Sequence, residues 1–262
     1  MEAKHITKEY DGRVIIQDIN LILRKGELIS LLGLSGSGKT TLFHVLSGLT
    51  KPREGQVILE GNEITGRPGA VSYMLQKDLL LPHKKVIDNV SLPLVLKGLH
   101  RKEARQIAHP LFSEFGLEGT QGQYPSQLSG GMRQRCAFLR TYLSAVSGKY
   151  VQAGTRGQKQ AHLHGVALLD EPFSALDTIT KSQIHGWFLE MMQRIDLSAI
   201  FISHDIDEAL ILSDRIYVLS GTPGTITHEF WIRRDRGARK GFNLTPEFLD
   251  YKRQILQALG TS

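Results

Sequence analysis

The residues most able to do chemistry are Gly33-Leu34-Ser35-Gly36-Ser37-Gly38-Lys39-Thr40. They fit the spacing G-x-x-x-x-G-K-[ST], in which glycines let the backbone wrap an anion with no Cβ in the way. Successive N–H groups then face inward, and a helix start adds its positive dipole end. Lys39 would reach the β- and γ-phosphates, and Thr40 would offer a hydroxyl to Mg²⁺. A Gly/Ser turn can match such a pattern by accident, and the flanks argue against that. Leu28-Ile29-Ser30-Leu31-Leu32 reads as a buried strand before the loop, and Thr41–Leu46 as a helix after it.

Other reactive residues close apolar strands. Val166-Ala167-Leu168-Leu169-Asp170-Glu171 ends in two acids. Ligands in parallel α/β sheets bind at the C-terminal ends of strands, so these acids belong beside the phosphate loop. One carboxylate can hold Mg²⁺ and the next can polarise a water. Ala199-Ile200-Phe201-Ile202-Ser203-His204 ends in a histidine that either is satisfied in the core or meets a γ-phosphate. Gln76 follows the strand Gly69–Leu75, and alone it reads as an ordinary strand end. Leu128-Ser129-Gly130-Gly131-Met132 sets a helix-capping serine and two glycines at a helix start, a second place for an anion.

The elements that must hold these residues follow from pattern. Tyr10-Asp11-Gly12-Arg13 is a turn between antiparallel strands, and Asp18–Leu23 alternates as a half-buried strand does. Tyr10 is either core filler or a flat ring for stacking on a base. Residues 79–143 read as a helical insertion, with helices at Val86–Val90 and Arg101–Phe115 and punctuation at Pro82, Pro93, Gly98 and Pro110. Its final helix is expected after Leu128–Arg135. Residues 144–165 hold five basic or histidine side chains and no acid, and read as a basic loop, either solvated or touching lipid or nucleic acid. His162 and His164 lack a third ligand nearby. A helix is expected over Ile179–Arg194, and another over 245–259, capped by Thr245 with Pro246 at its first position.

Composition sets the bounds. The 262 residues carry a formal net charge of +6, which suits nucleotides, nucleic acid or an anionic membrane face. The single cysteine, Cys136, excludes an internal disulfide framework and reads as a small buried apolar residue. No secretory signal is expected from Met1–His5, and no stretch has the ~18 apolar residues of a membrane span.

Taken in order, these motifs resemble those of the ATP-binding subunit of an ABC transporter. Gly33–Thr40 is similar to that family's first nucleotide motif, Gln76 to its Q-loop glutamine and Leu128–Met132 to its signature motif. Leu168–Pro172 resembles its second nucleotide motif, Ser174-Ala175-Leu176-Asp177 its D-loop and His204 its switch histidine. The resemblance implies one ABC cassette over 1–262: an α/β P-loop NTPase with a RecA-like core, an N-terminal antiparallel β region and an inserted helical subdomain. It implies ATP and Mg²⁺ as ligands. Glu171 would be the base, and Asp170, Thr40 and Gln76 would arrange the metal. Lys39 and His204 would hold the γ-phosphate, and Tyr10 would stack on adenine. Gly33, Leu34, Ser35, Gly36, Ser37, Gly38, Lys39, Thr40 and Thr41 would cradle one nucleotide, and Ser129, Gly130, Gly131 and Asp177 would meet the one held by a second cassette.

It further implies a head-to-tail dimer, homodimeric by expectation, at the cytoplasmic face of a membrane. Transmembrane permease subunits and, through them, a solute-binding protein would be partners, with no nucleic acid. Tyr73–Pro82 and Asp170–Asp177 are similar to the importer branch for nitrate, sulfonates, taurine and thiamine precursors. Thr245–Leu249 is similar to members that handle a thiamine-related pyrimidine. An ABC ATPase acting on nucleic acid or ribosomes is the rival, though neither a long coiled-coil insertion nor a second cassette is present. Leu34 stands where many members have proline. The long 144–165 connection also departs from the family, and it is expected to lie away from ATP because it feeds the N-terminal end of a strand.

Overall fold

The computed structural model describes residues 1–151, 165–174, 176–233 and 241–260. In chain order the strands are β1 (Glu2–Tyr10), β2 (Arg13–Ile22), β3 (Leu28–Leu32), β4 (Glu54–Leu59), β5 (Asn62–Glu63), β6 (Ser72–Met74), β7 (Gly165–Asp170), β8 (Leu197–Ser203), β9 (Arg215–Ser220) and β10 (Thr225–Trp231). The helices are α1 (Lys39–Leu46), α2 (Val86–Leu96), α3 (Arg101–Glu114), α4 (Gly130–Val151), α5 (Thr178–Arg194), α6 (Ile206–Leu212) and α7 (Pro246–Ala258). The fold is mixed α/β and divides into two units. The first takes residues 1–71, 168–171 and 198–262; the second takes 72–167 and 172–197.

In the first unit an antiparallel sheet has the order β2-β1-β4-β5. A second sheet runs β10-β9-β3-β8 and on to the end of β7. Leu28 to Leu32 are all buried, as are all seven residues of β8, and both faces of a parallel strand have to be covered. β3 lies parallel to β8 and β9, with Leu32 opposite Ser203 and Leu32 opposite Val218. That register places Gly33 and His204, the next residues of β3 and β8, at one end of the sheet. α6 and α7 close the unit over Leu32, Ile216, Phe242, Phe248 and Ile255. Thr245 Oγ1 accepts the Phe248 N–H at the start of α7.

The second unit is mainly helical. Asn89, fully buried on α2, accepts the Leu81 N–H at 2.6 Å and donates to the carbonyls of Leu81, Lys84 and Lys85. It therefore pins the chain that enters the helix. Asp88 beside it is buried and takes both Arg101 and Arg105 from α3. Pro93 and Pro110 sit inside α2 and α3 and do not end them. A proline removes one helical donor, but fully buried Val90 and Leu94 flank the first, and buried Ala108 and Leu111 the second, so packing carries each helix through. α4 starts at Gly130, before the position the sequence suggested, and runs to Val151, so the first eight residues of the expected basic loop are helical. Residues 152–164, with His162 and His164, lie outside the described residues, and Gly165 already begins β7. No helix among the described residues is long and apolar enough to cross a membrane.

Candidate functional site

In the first unit, Leu32 hands the chain to a loop that turns back onto α1. Gly36 and Gly38 have φ of +81° and +97°, which a side chain with a Cβ rarely adopts. A Cβ on Gly33 would collide with the Leu219 carbonyl oxygen on β9, so close backbone approach fixes that glycine too. Leu34 is exposed. The loop walls a cavity of about 600 Å³ together with residues from other strand ends. Ser35, Gly36, Gly38, Lys39, Thr40 and Thr41 line one side, and Glu171, His204, Ile15 and Ile202 the rest.

Lys39 is buried, and its Nζ donates to the Gly33 and Leu34 carbonyls at 2.8 and 2.9 Å. Burial pulls its pKa below the ordinary lysine value, while Glu171 and Asp170 pull it back up. Asp170 closes β7 in a buried position. Glu171 follows with φ of +45°, a strained backbone for a residue with a side chain, held by its N–H to the Ile202 carbonyl at 3.2 Å. Its Oε2 stands 3.6 Å from His204 Nδ1, and the histidine is largely exposed. An acid, a histidine and a lysine thus converge on one cavity beside a helix N-terminus.

The donor set suits a phosphate chain with Mg²⁺. The cradle at Gly36 is open where a Cβ would stand, and Thr40 and Asp170 are hard oxygen donors, the kind Mg²⁺ takes one or two of beside substrate phosphates. No cluster of three or more metal-binding side chains occurs among the described residues.

Tyr10 ends β1 outside the cavity lining, 41% exposed, with Lys8 Nζ 4.7 Å from its ring centroid. Ile15 lines the cavity instead, and neither it nor Ile202 was singled out from the sequence. The strand alternation of β2 is the signal that could have pointed to Ile15.

The remaining candidates belong to the second unit. Gln76 follows β6 in a bend. Ser129 Oγ accepts the Met132 N–H at 3.2 Å, and Ser129 O the Arg133 N–H. Gly130 faces Leu176, and Gly131 faces Thr180 and Ile184 of α5 at ordinary contact distance for a Cβ. Asp177 caps α5 by accepting the Thr180 N–H at 3.0 Å, and the hydrogen bonds from Thr180 hold its carboxyl below the usual value. Ala175, within the expected D-loop, lies outside the described residues. Cys136 is buried, which pushes its thiol up to about 12 and leaves no thiolate for chemistry.

Strand, glycine-bearing loop and helix start, with an acid and a histidine at the adjoining strand ends, define a P-loop nucleotide-binding fold. The family model for the ABC transporter matches residues 16–147. The formylaminopyrimidine import ATP-binding protein ThiZ of Halalkalibacterium halodurans is 38% identical over 209 residues, 80% of this chain and 74% of that one. The taurine import ATP-binding protein TauB of Escherichia coli is 34% identical over 226 residues, 86% of this chain and 82% of that one. A solved ATP-binding cassette, dimeric and bound to ADP and Pi, superposes with a TM-score of 0.68 at 26% identity, over 89% of this chain and 99% of that one. The chain belongs to the ABC transporter family, as an ATP-binding cassette.

Proposed function

We propose that this chain is the ATP-hydrolysing subunit of an ABC-type importer. The observation that carries the reading is the single cavity shared by Lys39, Thr40, Glu171 and His204. Lys39 exchanges its bonds to Gly33 and Leu34 for phosphate oxygens. The loop N–H groups take the same phosphates, with the dipole of α1 behind them. Thr40 and Asp170 hold Mg²⁺, which when bound neutralises phosphate charge. Glu171 takes the proton of the attacking water. His204, within reach of Glu171, orients against the γ-phosphate. Tyr10 stacks on the base, and Asp177 with Ser129–Gly131 meets the nucleotide of a second copy in a head-to-tail dimer.

The second unit has a segment suited to membrane subunits. Leu79 is half-exposed, and its carbonyl accepts from Arg140 of α4 at 2.9 Å. Arg140 also donates to the Asp78 carbonyl at 2.6 Å, and Arg133 of α4 pairs with the Asp78 carboxylate. Residues 78 and 79 are therefore tied to the helix that begins at Gly130, so movement at that helix start passes to the apolar Leu79–Pro82 segment and on to a permease. A small polar or anionic solute fits the names of the relatives, one a taurine and one a formylaminopyrimidine importer subunit. A solute-binding protein would deliver it to the permease, and the cassette would sit at the cytoplasmic face of the membrane.

The test is light scattering of Glu171→Gln with MgATP, beside hydrolysis by wild type. The variant should bind ATP without cleaving it and accumulate as a dimer, while wild type releases phosphate. A wild type that binds ATP and never hydrolyses it would overturn the catalytic reading.

A further inference from the structure

The turn between β9 and β10 reaches the phosphate loop, and no catalytic motif includes it. Gly224 is buried there and makes a one-residue parallel bridge to Ile16 of β2. Its N–H donates to the Ile15 carbonyl at 2.8 Å, and its carbonyl accepts the Gln17 N–H at 2.9 Å. A Cβ built on Gly224 would land on the Ser37 carbonyl oxygen, with the Ser37 carbonyl carbon behind it at 3.2 Å. The Ser37 C=O bond is therefore aimed at Gly224. A trans peptide directs its N–H opposite to its C=O. The N–H of that peptide belongs to Gly38, which lines the nucleotide cavity, whereas Ser37 does not. The other side of Gly38 rests on Ile16 Cγ2, where a Cβ has no room.

We infer that Gly224 is a positioning residue for nucleotide binding: its bare Cα seats the Ser37 carbonyl and so fixes the Gly38 N–H toward the phosphates. This rests on the ATP-binding reading of the same cavity. Any side chain at 224 tilts the Ser37–Gly38 peptide and withdraws one donor from the cradle. The effect falls on phosphate binding and spares the proton transfer at Glu171.

The experiment is titration of the full chain with MgATP, wild type against Gly224→Ala, with melting of each protein in the absence of nucleotide. A hydrogen bond to a charged group predicts a rise in Kd of about 10-fold or more for the variant. KM for ATP should rise by the same factor while kcat stays within about twofold. Hydrogen exchange on wild type supplies a readout independent of the variant's folding. The amides of Gly224, Gln17 and Gly38 should gain protection together when MgATP is added. Wild-type affinity in Gly224→Ala, or protection of Gly38 without Gly224 and Gln17, overturns the inference. A wild type that does not bind MgATP overturns the underlying reading instead.

Discussion

Lys39 keeps its charge in a buried position by leaning on two backbone carbonyls and two nearby acids. Its pKa sits below the ordinary 10.5, so the ammonium is lost at lower pH than in a free lysine. ATP affinity should hold at neutral pH and fall as pH climbs through that lowered value. Lys39→Ala should weaken MgATP binding by about 10- to 100-fold and flatten the alkaline limb of the profile, both read by nucleotide titration. The types and order of Lys39, Asp170, Glu171 and His204 were legible in the sequence, because apolar strands announce where their polar ends fall. The strained backbone of Glu171 and the role of Gly224 were not. Both depend on contacts with residues distant in sequence, Ile202 for one and Ser37 for the other, and local pattern carries no trace of such pairs.

At the scale of elements, two adjacent residues of α2 do different work. Asp88 is opposed by burial, which raises a carboxyl's pKa, and the hydrogen bonds from Arg101 and Arg105 outweigh that and leave it below 3.8. Its contribution to stability is therefore complete above the ordinary carboxyl value and is lost as pH falls through the lower folded one. Asp88→Ala should cost roughly 1–3 kcal/mol in urea unfolding, less than a fully buried pair because both arginines can return to water. Asn89→Ala strands the Leu81 N–H and takes one donor from each of three carbonyls, of which those of Leu81 and Lys85 keep backbone partners, and should cost about 2 kcal/mol or more while speeding amide exchange over residues 79–81. Helix periodicity made α3 readable straight through Pro110, whereas α2 was expected only over Val86–Val90 and runs on through Pro93 to Leu96. A proline's local penalty was visible in the sequence, and the buried neighbours that repay it were not. The early start and extra length of α4 escaped for the same reason: Ser144–Val151 lacks a strong apolar stripe, and the pattern alone suggested loop.

At the scale of the molecule, neither unit is one stretch of sequence, since the chain passes between them at 71–72, 167–168, 171–172 and 197–198. The first is anchored by Arg215, only 3% exposed, which pairs with buried Glu27 at 2.8 Å and with Glu229 at 2.8 Å. Burial works to lower the Arg215 pKa, and the bonds to Glu229 and Glu27 hold it above the ordinary value. Arg215→Ala leaves Glu27 buried without that partner and should cost ~3–5 kcal/mol by denaturant titration.

The two tryptophans fall one to a unit, and that turns the protein into its own pair of spectroscopic probes. Trp231 meets the guanidinium groups of Arg24 and Arg215, at 4.7 and 4.5 Å from its ring. Trp187 sits among Phe115, Phe138 and Arg135. Emission from Trp187→Phe then reports only the nucleotide-holding half, and emission from Trp231→Phe only the helical half. Because each half is assembled from segments on both sides of the other in sequence, the two colours of fluorescence should fade at one denaturant midpoint. MgATP should move that midpoint upward for both probes, even though only one of them shares a unit with the cavity.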